Sequence, residues 1–161
     1  MGLDISAVSK IKQVEGDEGT HYVAADKFER HTLPQSWYTS SDDSRVYWFR
    51  AGTYSSYNAF RRDLCGFAHG VSDTDIWNNL EKYKGGKFHE IIEFSDCQGV
   101  IGVEVSGKLH ADFVDGRDAF VKWVTEKYRD DLEVSKYRVK VYDDFTLAFE
   151  IAKDDGMVVF C

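Results

Sequence analysis

The sequence predicts an α+β domain in which a small antiparallel sheet is covered by four or five helices. Three observations carry that expectation. The opening residues alternate, with Leu3, Ile5 and Ala7 apolar and Asp4 and Ser6 polar, the pattern of a half-buried strand. Arg45 to Arg50 (RVYWFR) is β-branched and aromatic, and the terminal Met157 to Phe160 is short and apolar. Between the last two, apolar residues recur at helical spacing. Strands this short do not stand alone, so Leu3–Ser9, Arg45–Arg50 and Met157–Phe160 are expected to share one sheet.

Taken in order, the first strand gives way to Gln13–Ser44, a polar excursion with Gly16, Gly19 and Pro34. His21-Tyr-Val-Ala is a candidate short strand inside it. Ala51-Gly52 breaks the second strand. The first helix runs from about Ser55 to His69, with Tyr57, Phe60, Leu64, Phe67 and Ala68 in register. Ser72 caps a second, which places Ile76, Trp77, Leu80 and Tyr83 on one face and ends at Gly85-Gly86. A third covers Lys87 to Phe94, with Phe88, Ile91 and Ile92 inward.

Ser95–Gly102 (SDCQGVIG) reads as a turn-rich connection. A fourth helix starts at Ser106, where Leu109, Phe113, Phe120, Trp123 and Val124 form the stripe, with Gly116 as an interruption point. The fifth shows Val134, Val141, Phe145, Ala148, Phe149 and Ala152, and Gly156 is expected as its left-handed cap.

Composition narrows the function classes. A chain of 161 residues with 43% hydrophobic residues, one proline and no Ser/Gly-rich linker is a single folded domain. Its net charge of −8, with basic residues interspersed, argues against direct nucleic-acid or anionic-membrane binding. No apolar run approaches the ~18 residues of a membrane span. The cysteines Cys65, Cys97 and Cys161 are far apart and form no CxxC pair, which points to reduced thiols in a cytosol. MGLDIS matches an N-myristoylation pattern, yet the same residues read as a buried first strand with no free terminus to acylate.

The candidate site lies in FRAGTYSSYNAFRRDL, Phe49 to Leu64. At 100° per residue, Tyr54, Asn58, Arg61 and Cys65 form a stripe beside the Phe60/Leu64 core stripe, with Tyr57 on the boundary. Arg50 ends the strand leading in, and Thr53, Ser55 and Ser56 bring hydroxyls to the helix start. Arg50, Tyr54, Ser55, Tyr57, Asn58 and Arg61 could hold a phosphate-bearing ligand with a tyrosine stacked on its base. Asp96 in SDCQG is expected behind them, while Arg62, about 100° round the helix, should take no part. The competing reading is an ordinary strand turn followed by an N-cap.

Neither a Walker A nor a dinucleotide glycine loop is present, so no cofactor is implied. HEIIE, His89 to Glu93, lacks the second histidine of a zinc-protease helix and a third ligand, so no metal is implied either. No residue is assigned a catalytic role.

The MGLDI opening, RAGTYSSYNAFR, FHEIIEFSDCQGVIG and AFEIAKDDGMVVF together resemble an uncharacterised family of small proteins encoded by phages and prophages. There the first motif reads like RAGSYSGYN, with glycine where this chain has Ser56. The resemblance implies a phage accessory protein in the cytoplasm of a bacterial host, in a context of counter-defence. The expected function is binding and sequestering a small nucleotide-like ligand without turnover. The alternative is a protein-binding inhibitor of a host defence complex, anti-CRISPR-like or DNA-mimic-like, and the third is a metal-independent hydrolase. The partner is therefore a small ligand or a host defence protein, and self-association is left open.

Overall fold

A computed structural model describes residues 2–24, 33–94 and 99–161. Among them the chain order is β1 (Gly2–Val8), β2 (Ile11–Val14), β3 (His21–Val23), β4 (Ser36–Ser40) and β5 (Val46–Thr53). Then come α1 (Tyr54–His69), α2 (Asp73–Asn78), α3 (Leu80–Tyr83), α4 (His89–Glu93) and β6 (Gly99–Ile101). The chain closes with α5 (Val103–Lys127), α6 (Leu132–Ala152) and β7 (Met157–Phe160). The fold is α+β. Among the described residues no helix is long and apolar enough to cross a membrane.

The three expected strands do share one sheet, in the order β5-β1-β7-β6, and every pairing is antiparallel. Alternation decides its faces. Leu3, Ile5 and Ala7 of β1 point inward with Phe49, Ala51, Val158 and Phe160, and all are buried. Phe145 of α6 is the hub above that face. Its ring centroid lies 5.0 Å from Phe49, 5.6 Å from Phe60 of α1, 5.8 Å from Phe149 and 6.2 Å from Phe160. The long α5 closes the layer, with Phe120 stacked on Tyr142 at 4.4 Å and Phe113 at 5.6 Å from Phe149. Each such ring contributes roughly 1.5–3 kcal/mol by leaving water.

Four local readings change. First, the polar excursion contains a three-stranded sheet, β2-β4-β3. Tyr38 and Val23 from it pack with Val8, Val100 and Met157 as a second small core on the outer face of the main sheet. Second, the Ser95–Gly102 connection carries β6, whose Val100 and Ile101 pair with Val159 and Val158.

Third, the second helix is two short ones, because Asn79 leaves helical geometry at φ −138°, ψ 43°. Its Ser72 cap forms as expected, as a capping box with Asp75. Fourth, α5 begins earlier, at Val103, and passes through Gly116 unbroken. A Cβ there would stand 3.0 Å from the Tyr142 hydroxyl and 3.2 Å from the Phe88 ring, so the glycine serves close packing.

The end of α6 corrects a role as well. Asp155, not Gly156, takes the left-handed conformation, at φ 49°. Gly156 is needed because a Cβ would fall 2.0 Å from the Val8 carbonyl oxygen, where β7 enters the sheet beside β1. Gly156→Ala is therefore expected to cost more than ~3 kcal/mol, since backbone on both sides must move. Asp155→Gly relieves the positive φ and should be neutral or stabilising by up to ~1 kcal/mol. Denaturant unfolding of both variants checks the pair, and the opposite ranking would contradict this account.

Candidate ligand-binding cleft

The β5-to-α1 junction is built from the turn outward. Gly52 sits at φ 95°, and a Cβ on it would meet the Tyr137 hydroxyl at 2.1 Å. Thr53 then caps α1, its Oγ1 accepting the Ser56 N–H at 3.1 Å. The Ser55 and Ser56 hydroxyls lie 2.8 and 2.9 Å from that same oxygen. The hydroxyl cluster expected at the helix start is thus organised around its own cap.

The candidate residues then diverge. Arg50, on β5, turns away from the helix start and forms a two-pronged pair with Asp4 on the neighbouring strand, Nε to Oδ1 at 2.9 Å and Nη2 to Oδ2 at 3.1 Å. Both side chains are exposed, and the guanidinium holds the Asp4 carboxyl below its ordinary value. Tyr54 is 37% exposed at the first turn. Tyr57, placed on the stripe boundary by spacing, turns fully into the core. Its hydroxyl donates to the Phe94 carbonyl at 2.8 Å, and its ring lies 6.1 Å from Phe145. Asp96 lies outside the described residues.

Asn58 and Arg61 stay together. Arg61 is 5% exposed; its Nη1 donates to the Ile92 carbonyl at 2.7 Å and its Nη2 to Asn58 Oδ1 at 3.0 Å. Its guanidinium carbon lies 5.5 Å from the Tyr57 ring centre and 5.9 Å from that of Trp77. Flat guanidinium against aromatic faces is favourable even when desolvated. With Arg62, Asp73, Thr74 and Trp77, this pair lines a cleft of about 320 Å³ between α1 and α2.

Four of these lining residues, Arg62, Asp73, Thr74 and Trp77, escaped the sequence. Spacing gave Trp77 to the core face of the second helix, whereas Ile76 is buried and the indole is 44% exposed. Arg62, expected to take no part, reaches the cleft by donating Nε–H to Asp73 Oδ2 at 2.8 Å. Asp73 is visible in sequence only as a helix-start acid. The signal that could have found them is the short α1–α2 connection, which forces the two helix faces together.

The acid–base character of the region is specific. The hydrogen bond and charge of Arg62 hold the Asp73 carboxyl below its usual range. Cys65 is buried, donates to the Val71 carbonyl at 3.2 Å and has its thiol pushed up to about 11, mainly by burial. It is a weak nucleophile at neutral pH. In HEIIE, His89 Nε2 faces Glu93 Oε2 at 3.2 Å, and burial outweighs that partner and pushes the imidazole below its usual value. Among the described residues no group of three His, Cys, Asp or Glu side chains comes together as a metal site.

Compared with known proteins, the chain matches no family model, no curated protein and no solved structure.

Two predictions follow from this geometry. Arg61→Ala should destabilise the fold by ~2–4 kcal/mol, because it strips a buried carbonyl of its donor. Arg50→Ala should leave the melting midpoint nearly unchanged, because its pair is solvated. Thermal melts of the two variants decide this, and equal shifts would contradict it. Separately, burial holds His21, His89 and His110 below the ordinary 6.5, so the unfolded chain protonates first. Their contribution is complete above about pH 6.5 and declines as pH falls below it. Unfolding free energy should fall between roughly pH 6.5 and 5, with a shallower slope in His89→Gln.

Proposed function

We propose that this chain binds a small anionic ligand with a planar ring, of the nucleotide class, in the α1–α2 cleft and holds it without turnover. The observation that carries the reading is the meeting of an exposed indole with two arginines in one cleft of about 320 Å³. Trp77 offers a stacking face, and base-on-aromatic stacking is worth ~1–3 kcal/mol. Arg61 supplies fixed positive charge beneath it. Arg62 sits at the rim in a solvated ion pair with Asp73, and a phosphate can replace that carboxylate as its partner. Asn58 orients Arg61 from the side.

Retention without turnover is favoured by the described lining. Its carboxylate, Asp73, is held below its usual range by Arg62, which makes it a weaker general base. A larger cleft of about 600 Å³ lies beside Lys10 and Lys12, but Asp43, Asp154 and Asp155 line it too, which disfavours an anion. Of the residues first singled out, Asn58 and Arg61 belong to the proposed site, whereas Arg50, Tyr54, Ser55 and Tyr57 stand outside its lining. The family resemblance supports placing this activity in a phage accessory protein working against host defence in the bacterial cytoplasm, where capturing a nucleotide signal would be the effect.

A thermal-shift and calorimetric panel of linear and cyclic mono- and dinucleotides tests the reading. At least one should stabilise the protein and bind with a defined stoichiometry. Trp77→Ala should weaken that binding by ~1–3 kcal/mol. Arg62→Ala should weaken it roughly tenfold or more while leaving the melting midpoint of the free protein in place. Arg50→Ala, remote from the lining, should bind normally. A panel with no binder, or binding indifferent to both Trp77 and Arg62, would overturn the proposal.

A further inference from the structure

We infer that the open edge of β5 is a self-association surface, in which two copies pair β5 antiparallel about a two-fold axis at Trp48. Just past the end of the β1–β5 ladder Ser9 N–H donates to the Arg45 carbonyl and Arg45 N–H donates to Ser9 Oγ, so both residues turn their backbone toward each other. Stepping by two along the observed register makes Ala7–Tyr47 and Ile5–Phe49 hydrogen-bonded pairs. An independent check comes from the other side of β1. Asp4 exchanges both backbone hydrogen bonds with Cys161, so Asp4, Ser6 and Val8 face β7.

It follows that the N–H and C=O groups of Val46, Trp48 and Arg50 point away from β1. Among the described residues β5 pairs with no other strand. Val46 to Arg50 has no proline and no lysine; its one charge, Arg50, is paired with Asp4, and the bulge of β5 falls just past it, where Ala51 and Gly52 stand opposite Leu3.

The same three residues carry the exposed side chains. Trp48 is 75% exposed, Val46 is 65% exposed, and the Arg50 side chain is 61% exposed. The second sheet packs against Val8, Val100 and Met157 instead, and among the described residues no strand of it pairs with β5.

A second copy fits this edge in one register. Centred on Trp48, it sets Val46 opposite Arg50, Trp48 opposite Trp48 and Arg50 opposite Val46. All three outward N–H groups and all three outward carbonyls of each copy are then satisfied. The residue on the axis is also the most exposed large apolar one among the described residues. Charge is compatible too, since no arginine faces its own mate and each Arg50 keeps its Asp4. A contact of this kind buries less than the ~1,200 Å² of a standard interface, so the dimer is weak and half-formed only at roughly 10–300 μM chain.

Sedimentation equilibrium from about 5 to about 500 μM, in about 0.3 M salt to screen the −8 charge of each chain, reads it directly. A monomer–dimer equilibrium is expected, and Trp48→Lys, a substitution at an exposed site, should abolish it with the melting midpoint retained. The register has its own readout in a Cys161→Ser background under mild oxidation. Trp48→Cys should give a disulfide-linked dimer, because paired Cα atoms in this geometry lie ~5.5 Å apart. Val46→Cys should not, because its two copies lie ~14 Å apart along the strands. A monomer at every concentration, a dimer insensitive to Trp48→Lys, or equal cross-linking at both positions would overturn the inference.

Discussion

The orientation of α1, and with it everything the cleft presents, depends on one buried carboxylate. Asp63 is 1% exposed, and it gathers donors from both long helices. Its Oδ1 accepts Lys127 Nζ at 2.6 Å, its Oδ2 accepts Arg138 Nε at 2.7 Å, and the Tyr128 hydroxyl bridges both oxygens at 3.0 Å. Arg138 reaches further, to the Ser56 carbonyl in the first turn of the same helix. Such a cluster adds little net stability, because the desolvation of its charges offsets most of their attraction. Its effect is to exclude alternatives. Any roll of α1 that removed Asp63 from these partners would leave charge buried and unpaired, at a cost of ~3–5 kcal/mol.

With that angle set, the remaining faces of α1 have no freedom. Phe60 and Leu64 meet Phe145 and the core, Tyr57 reaches the Phe94 carbonyl, and Asn58 and Arg61 turn toward α2 and α4. The aromatic hub supplies most of the stabilisation and the ion cluster supplies the direction. Apolar contacts alone tolerate some sliding, whereas a carboxylate with three partners at 2.6 to 3.0 Å does not.

This division explains what was legible in the sequence. The three strands of the main sheet and the long helices follow from periodicity, because alternation and helical stripes state which side faces a core. The β2-β4-β3 sheet is nearly silent by that criterion. Its strands IKQV, HYV and SWYTS bury few residues, and its small core borrows Val8, Val100 and Met157 from elsewhere. Gly156 stands out in sequence as a helix cap, whereas its constraint is close approach to Val8, on a strand almost the whole chain away. Of the residues that line the α1–α2 cleft, Asn58 and Arg61 are legible because they share a helix face, whereas Trp77 and Arg62 join them only through the tertiary fold, set by how the α1–α2 connection folds back.

The conspicuous stretch from Phe49 to Leu64 therefore divides its labour along its length. Its strand half turns Arg50 outward, in line with Trp48 just before it, because Phe49 and Ala51 must point in. Its turn is committed to making the corner, with Gly52 fitted under Tyr137 and Thr53 engaged with Ser55 and Ser56. Only a full turn further on, where Asp63 holds the helix against α5 and α6, does the opposite face become free to meet another element. That is where Arg61 is caught between Tyr57 and Trp77. A helix start crowded with its own hydroxyls is a poor place for a ligand, and the third turn, backed by buried rings and roofed by a short helix, is a better one.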